Sequence, residues 1–395
     1  MTEHNSKSEG ASPHVLIIGG GVGGLCLAQG LTKSGISVAL YERGESASFR
    51  GQGARISLKK AGSDALRACL PGNLFDLCVA TSIAPATRMA VTDQWLNEAF
   101  AMPIPHVEPE DSTFGVNRLT IREILLSGLD DVVHFTKSLV RYEHPADGRV
   151  RAHFADGTAA TGDLLVGADG TNSVTRNQLV PDAELEDLHW SIWGKTPITG
   201  GLEWVPEVLV DSFNRIKGPG GTSMSVATCR PRTPVADAVA ALAPGTRLTE
   251  VPDYFSWTVS LTDEFRDGDS ATLHRLVRDL TADWHPAVRR IVAEAEVPAT
   301  FPVNIRSARP VLAWSDPAVT LLGDAIHTMS PGRGEGANTA LRDAELLRGA
   351  LVDVTTKGVP LGQAKAAYEA EMLRHGFAAV ASSRTNPLMR MGSTG

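Results

Sequence analysis

Residues His14–Glu42 read HVLIIGGGVGGLCLAQGLTKSGISVALYE. Val15–Ile18 is a short apolar run ending in glycines, the pattern of a strand buried on both faces. Gly19, Gly21 and Gly24 fit G-x-G-x-x-G. Leu25, Ala28 and Leu31 follow at helical spacing, and Gly35 can end that helix in a left-handed turn. Ser37–Tyr41 reads as a second strand, closed by Glu42, 23 residues after Gly19. In this pattern Gly19 permits the tight turn, Gly21 lets the backbone approach a pyrophosphate, and Gly24 lets helix pack on strand. Phosphate oxygens then meet the free N–H groups at the helix start. Glu42 is placed to accept hydrogen bonds from ribose hydroxyls. A lone G-x-G-x-x-G says little; strand, helix and acidic residue together predict a dinucleotide-binding unit.

Two later stretches repeat this geometry. Asp163–Arg176 reads DLLVGADGTNSVTR, a buried strand turning at Gly167–Gly170 into a helix start. In an open parallel sheet, loops at the carboxyl ends of strands form the ligand crevice, which predicts Asp169 on the same side as Gly19–Gly24. Taken alone, an Asp-Gly turn needs no ligand. Val319–Leu347 reads VTLLGDAIHTMSPGRGEGANTALRDAELL. Here a strand closes on Gly323-Asp324, a loop runs through Pro331, Gly334 and Gly336, and a helix follows from Asn338. His327 stands beside this turn, where a histidine is more often structural than catalytic.

The 395 residues suggest two or three domains, and 43% hydrophobic content supports a substantial core. The net charge of −8 disfavours nucleic acid and anionic membrane as partners. No run approaches the ~18 apolar residues of a membrane span. The polar start carries no signal core, and Cys26, Cys69, Cys78 and Cys229 show neither C-x-x-C nor metal spacing. These features predict a cytoplasmic protein with reduced thiols and no metal. Helices are expected at Ser57–Leu70 and Val116–Leu129. The second carries Arg118 and Arg122 one turn apart, which commonly marks a solvated basic face. From Pro181 to about Thr300 lie five tryptophans and three strand-like runs, His189–Thr199, Gly221–Arg230 and Asp253–Leu261. These predict a mostly antiparallel sheet whose aromatics are core or line a pocket for a flat ligand.

Together the three motifs resemble the single-component FAD-dependent aromatic hydroxylases, the family of para-hydroxybenzoate hydroxylase, salicylate hydroxylase and the tetracycline-inactivating monooxygenases. The resemblance covers nearly the whole chain. It implies an α/β fold: a Rossmann-like FAD-binding domain (13–180 and 301–349), an inserted, mostly antiparallel substrate domain (181–300, with the sheet of 82–107 as an alternative member), a C-terminal helix (350–382) and flexible ends (1–12 and 383–395). It implies non-covalent FAD held by Gly19, Gly21, Gly24, Glu42, Arg43, Arg118, Asp169, Gly323, Asp324, Pro331, Gly334, Gly336, Ala337 and Asn338. Asp169-Gly170 is linked to the nicotinamide nucleotide as well, and Asp324 to the ribityl chain. The family usually has Gln between the glycines of the last loop; here Glu335 stands there and is expected to point outward.

The implied chemistry is reduction of the flavin by NADPH or NADH, addition of O₂ as a C4a-hydroperoxide, and transfer of one oxygen atom to an aromatic or polyketide-like molecule. The expected state is monomer or homodimer. No side chain stands out as a catalytic acid or base; Arg55, His189 and Arg215 are candidates for activating an acidic substrate hydroxyl. Trp190, Trp193, Phe213 and Trp257 are candidates for the substrate pocket. A flavin halogenase would need a G-W-x-W-x-I-P signature, and Gly201–Pro206 reads GLEWVP, which lacks it. A flavin-bound oxidoreductase or sensor without oxygen insertion is the alternative.

Overall fold

Val15–Ile18 (β1) is wholly buried and pairs in parallel along both edges, the placement its unbroken apolar run demands. The computed structural model describes residues 12–46, 55–105, 113–261 and 268–384. The ends expected to be flexible lie almost wholly outside these. In chain order β1 is followed by α1 (Val22–Lys33), β2 (Val38–Tyr41), β3 (Arg55–Leu58), α2 (Lys60–Cys69), α3 (Gly72–Ala80), β4 (Arg88–Asp93), β5 (Glu98–Pro103) and β6 (Phe114–Asn117). Next come α4 (Arg118–Leu126), β7 (Val133–His134), β8 (Leu139–Glu143), β9 (Val150–Phe154), β10 (Ala159–Gly162), β11 (Leu164–Gly167) and α5 (Val174–Leu179). Then follow β12 (Leu185–Pro197), β13 (Ser212–Lys217), β14 (Ser223–Cys229), α6 (Val235–Leu242), β15 (Tyr254–Ser260), α7 (Ser270–Leu280), α8 (Pro286–Ala293) and β16 (Phe301–Ala308). The chain closes with β17 (Val319–Leu321), α9 (Asp324–His327), α10 (Gly336–Lys357) and α11 (Leu361–Arg384).

The Rossmann-like sheet is parallel, in the order β17-β11-β1-β2-β7. Alternation along β1 sends Val15 and Ile17 into a core with α1 and α10, and Leu16 and Ile18 into a core with β8–β10. The larger sheet runs β16-β12-β15-β14-β13-β4-β5 and is antiparallel except where β13 lies beside β4. One face of it packs Ile192, Met224, Phe255, Trp257 and Val259 against Leu273 and Val277 of α7 and Val288 and Ile291 of α8.

Several expected elements differ. The helix expected from Ser57 begins at Lys60, because Arg55–Leu58 is drawn into an antiparallel pair with β6. The helix expected from Val116 begins at Arg118, where Asn117 accepts the Leu119 and Thr120 N–H groups as an N-cap. Strand β16, placed by sequence with the nucleotide-binding part, is instead an edge of the larger sheet; its opposite edge is residues 88–103, within the 82–107 segment expected as an alternative member of that sheet. The chain after 350 is not one helix: α10 runs on to Lys357, Gly358 takes φ +68°, and α11 follows.

A buried ion network ties α9, α10 and α11 to the β17 turn. His327 Nε2 donates to Asp343 Oδ2 at 2.6 Å and His375 Nε2 donates to Oδ1 at 2.7 Å. The Gly323 N–H also donates to Asp343, at 2.9 Å. Burial opposes ionisation of Asp343, but His327, and then the bonds from both histidines, outweigh it and hold the carboxyl down at about 2. Burial likewise opposes charge on His327, and Asp343 reverses the sign, so its pKa is raised. Asp343 therefore contributes stability that is complete above its unfolded value, about 4, and is lost as pH falls toward 2. His327 contributes stability that is complete below its unfolded value, about 6.5, and is lost as pH rises through its folded one. Asp343→Asn should cost about 3–5 kcal/mol, the usual penalty for breaking a buried pair. It should also flatten the acid limb of stability. Urea midpoints measured from pH 2 to 8 check this, and an unchanged acid limb would contradict it.

Candidate active site

Gly19, at the end of β1, has φ +113°, and a Cβ there would lie 2.3 Å from the Ala168 carbonyl oxygen. A Cβ on Gly24 would lie 2.1 Å from the Gly19 carbonyl oxygen, so helix α1 packs on the turn only because residue 24 has no side chain. A Cβ on Gly21 would meet nothing within 4 Å, so the backbone at the start of α1 is open to approach. Glu42 is buried and accepts from the Gly20 N–H at 2.6 Å and the Gly44 N–H at 2.8 Å. It thus shapes the turn itself, while keeping lone pairs for further donors. Arg43, beside it, is exposed. Arg122 is not on a solvated face: its Nε donates to the Gly20 carbonyl at 3.1 Å and its guanidinium lies 3.7 Å from Glu42.

The β11 turn is held internally. Asp169 accepts from the Ser173 hydroxyl at 2.5 Å and from the Thr175 N–H at 3.1 Å, which satisfies the first turn of α5. Gly170 follows with φ +77°. Arg176, buried, donates to the Thr171 carbonyl at 2.9 Å and the Ala325 carbonyl at 3.2 Å, stitching this turn to the next. Nothing in the sequence patterning marks Arg122 or Arg176, because both act across more than 100 positions, on Gly20 and on Ala325 respectively.

Gly323 ends β17 with φ +66° and turns Asp324 to the carboxyl edge of the sheet. Asp324 is crowded by protein yet exposed to solvent. Crowding raises its pKa, partly offset by His327 and Arg118. A Cβ on Gly336 would lie 3.8 Å from Asp324 Oδ1, which places the start of α10 beside the carboxylate. Asn338 is buried and serves as a clamp: it donates to the Ser57 and Gly334 carbonyls at 2.8 and 2.7 Å and accepts from the Lys59 N–H at 2.7 Å. Pro331 is exposed and Ala337 half-buried on the same loop. Glu335 does not stand free; it pairs with Lys59. Open backbone at Gly21, an accessible carboxylate at Asp324 and a cation at Arg118 fit a dinucleotide lying across the ends of β1, β11 and β17.

The larger sheet's second face meets β3 and the start of α4, where Tyr254 accepts from Asn117 and Phe213 lies under Arg55. Register places His189, Trp193, Lys195, Phe213, Arg215, Ser225, Ser256 and Thr258 on that face. Arg55, from β3, stacks 5.0 Å above the Phe213 ring, and its buried Nε has no hydrogen-bond partner among the described residues. Arg215 donates to the Ser223 hydroxyl at 2.6 Å. Burial, then Arg215, lowers the His189 pKa and favours a neutral ring. Two expected pocket residues are elsewhere. Trp257 is fully buried among the α7–α8 core, where its Nε1 donates to Thr196 at 3.0 Å. Trp190, two residues from core Ile192, shares that opposite face. The wall is also more polar than expected: the serines and threonine above alternate with Phe255, Trp257 and Val259, which point into the core.

Among the described residues no group of His, Cys, Asp or Glu is arranged to hold a metal ion, and no helix is long and apolar enough to cross a membrane. The four cysteines are free and buried.

Residues 133–383 match the FAD binding domain family, and residues 17–86 match an NAD(P)-binding Rossmann-like domain. An FAD-dependent monooxygenase of Trichoderma harzianum is 31% identical, over 94% of this chain and 92% of its own. A dual O-methyltransferase/FAD-dependent monooxygenase of Phaeosphaeria nodorum is 32% identical over 84% of this chain; the match spans only 39% of that longer protein. The crystal structure of a protein assigned as an FAD-containing monooxygenase from Photorhabdus luminescens is 33% identical, with a TM-score of 0.79 over 96% of this chain and 98% of that one. A Klebsiella pneumoniae HpxO variant complexed with FAD is 25% identical, with a TM-score of 0.74 over 95% and 89% of the two chains. On these matches, and with the cofactor-shaped edge described above, the chain belongs to the FAD-binding-domain family of FAD-dependent monooxygenases.

Proposed function

We propose that this protein uses NADPH or NADH and O₂ to hydroxylate or epoxidise a flat aromatic or polyketide-like molecule that carries an ionisable oxygen. The observation that carries this is the sheet face on which Arg55 stacks over Phe213 and Arg215 lies near His189. Trp193 and Phe213 offer flat apolar surface there. Arg55 and Arg215 supply positive charge in a partly desolvated setting, where an anionic oxygen is bound more strongly than in water. His189, favoured neutral, can accept or pass a proton from a substrate hydroxyl. Bound FAD supplies the redox and oxygen-transfer chemistry. The chain's own work is to bind, orient and exclude water. Gly21 and the α1 N-terminus receive phosphate, Glu42 the adenosine ribose, and Asp324 the ribityl hydroxyls. The FAD-dependent urate hydroxylase of Klebsiella pneumoniae, 29% identical over 84% of this chain, supports a small heterocyclic or aromatic substrate as a class.

Candidate substrates are screened by stimulated NAD(P)H oxidation together with product mass. A gain of one oxygen atom is the expected result; stimulated oxidation with no oxygenated product for any ligand would favour an oxidoreductase without oxygen insertion.

Asp324→Ala should weaken FAD binding by about 1.5–3 kcal/mol, one charge-assisted hydrogen bond. Asp169→Ala should weaken it less, because that carboxylate is engaged by Ser173 and Thr175. Fluorescence titration of FAD into the two variants checks the order, and equal affinities would contradict it. On the sheet, Trp193→Ala and Phe213→Ala should lower the ratio of product to NAD(P)H consumed while FAD stays bound. Trp257→Ala should instead lower stability by about 3–5 kcal/mol, as a core truncation does.

A further inference from the structure

Lys59 and Glu335 meet across the boundary between two segments that are 276 positions apart. Lys59 follows β3 and precedes α2, and Glu335 is the residue from which α10 starts. The contact is one of several between the same two segments. The Lys59 N–H and the Ser57 carbonyl both bond to the Asn338 side chain. A Cβ on Gly334 would touch Ser57 at 3.5 Å, and one on Gly62 would strike the Asn338 side chain at 2.3 Å. The backbone bonds to Asn338 fix the segments whatever residue 59 carries as a side chain. The ammonium group is therefore not needed to build the loop. What it does is neutralise a carboxylate at the start of a helix whose free N–H groups would otherwise favour negative charge nearby. Unpaired, Glu335 would cancel that preference.

We infer that Lys59 is a positioning residue for the flavin: it holds and neutralises Glu335, so that the loop Gly334–Asn338 can stabilise the negative charge gained when the flavin is reduced. This rests on the proposed function and on the family resemblance, which implies FAD contacts at Gly334, Gly336, Ala337 and Asn338 and, with them, an isoalloxazine ring beside that loop. It accounts for an acidic residue at a position where such a charge would oppose reduction. Lys59 and Glu335 are partly exposed, 37% and 28%, so solvent screens the pair and the effect is modest.

The test is the midpoint potential of bound FAD, by spectroelectrochemical titration of the holoprotein, in wild type, Lys59→Met, Lys59→Arg, Glu335→Gln and the double variant Lys59→Met/Glu335→Gln. Lys59→Met should shift the potential downward, equivalent to about a two- to fivefold loss in affinity for reduced relative to oxidised FAD. Lys59→Arg should restore it, and the double variant should return to the wild-type value, since both charges of the neutral pair are then gone, while Glu335→Gln, which leaves the lysine's charge unbalanced, should lie above wild type. Equal potentials in all five proteins would overturn the inference while leaving FAD binding intact. Lys59→Met and the double variant lowered equally would overturn it too, because Glu335 would then not be the intermediary. If Lys59→Met loses FAD, Lys59→Arg and Glu335→Gln decide: the inference requires Lys59→Arg to match wild type and Glu335→Gln to lie above it, and Glu335→Gln equal to wild type overturns it. Wild-type protein that binds no flavin would instead sink the reading beneath it.

Discussion

Gly19 and the Ala168 carbonyl approach so closely that a side chain on residue 19 has no room. That approach follows from the parallel pairing of β1 with β11, and β11 with β17, which brings three strand ends to one edge. Each end turns through a glycine at positive φ, Gly19, Gly170 or Gly323. Each delivers a different chemical group: open backbone N–H, an internally bonded Asp169, and an accessible Asp324. Arg176 then locks neighbouring turns through backbone carbonyls, and Arg122 holds the first through the Gly20 carbonyl and the Glu42 carboxylate. A bulky residue at 19 would therefore disturb its own turn and the β11 turn it packs against.

Behind this edge the charges are compensated in layers. Asp343 is paired by two histidines from α9 and α11 and anchors the Gly323 N–H, so the turn that presents Asp324 is supported from the C-terminal helix. In front, Lys59 answers Glu335 and Arg118 lies near Asp324. The network behind is sealed from water, whereas the pair in front is partly exposed and accordingly weaker.

The three strand–turn–helix motifs were legible because their information is local: an apolar run, a glycine that the turn requires, and an acid at the strand end. Arg122 and Arg176 were not, since what makes them part of the site is a carbonyl supplied by a distant turn. Strand β3 was hidden for a similar reason: Arg55–Leu58 is a strand only because β6 lies beside it. Trp257 is a different case, because its signal was present. Phe255, Trp257 and Val259 alternate with Ser256, Thr258 and Ser260, and that period of two sends the tryptophan into the core and the hydroxyls toward the cleft. Counting tryptophans as a set obscured the alternation that sorts them.

The central claim is that the edge formed by β1, β11 and β17 holds FAD. The most direct measurement is the visible spectrum of the purified protein, followed by acid precipitation and identification of the released chromophore. The account predicts a yellow protein that releases stoichiometric FAD on denaturation. A colourless protein that takes up no FAD on reconstitution would contradict it.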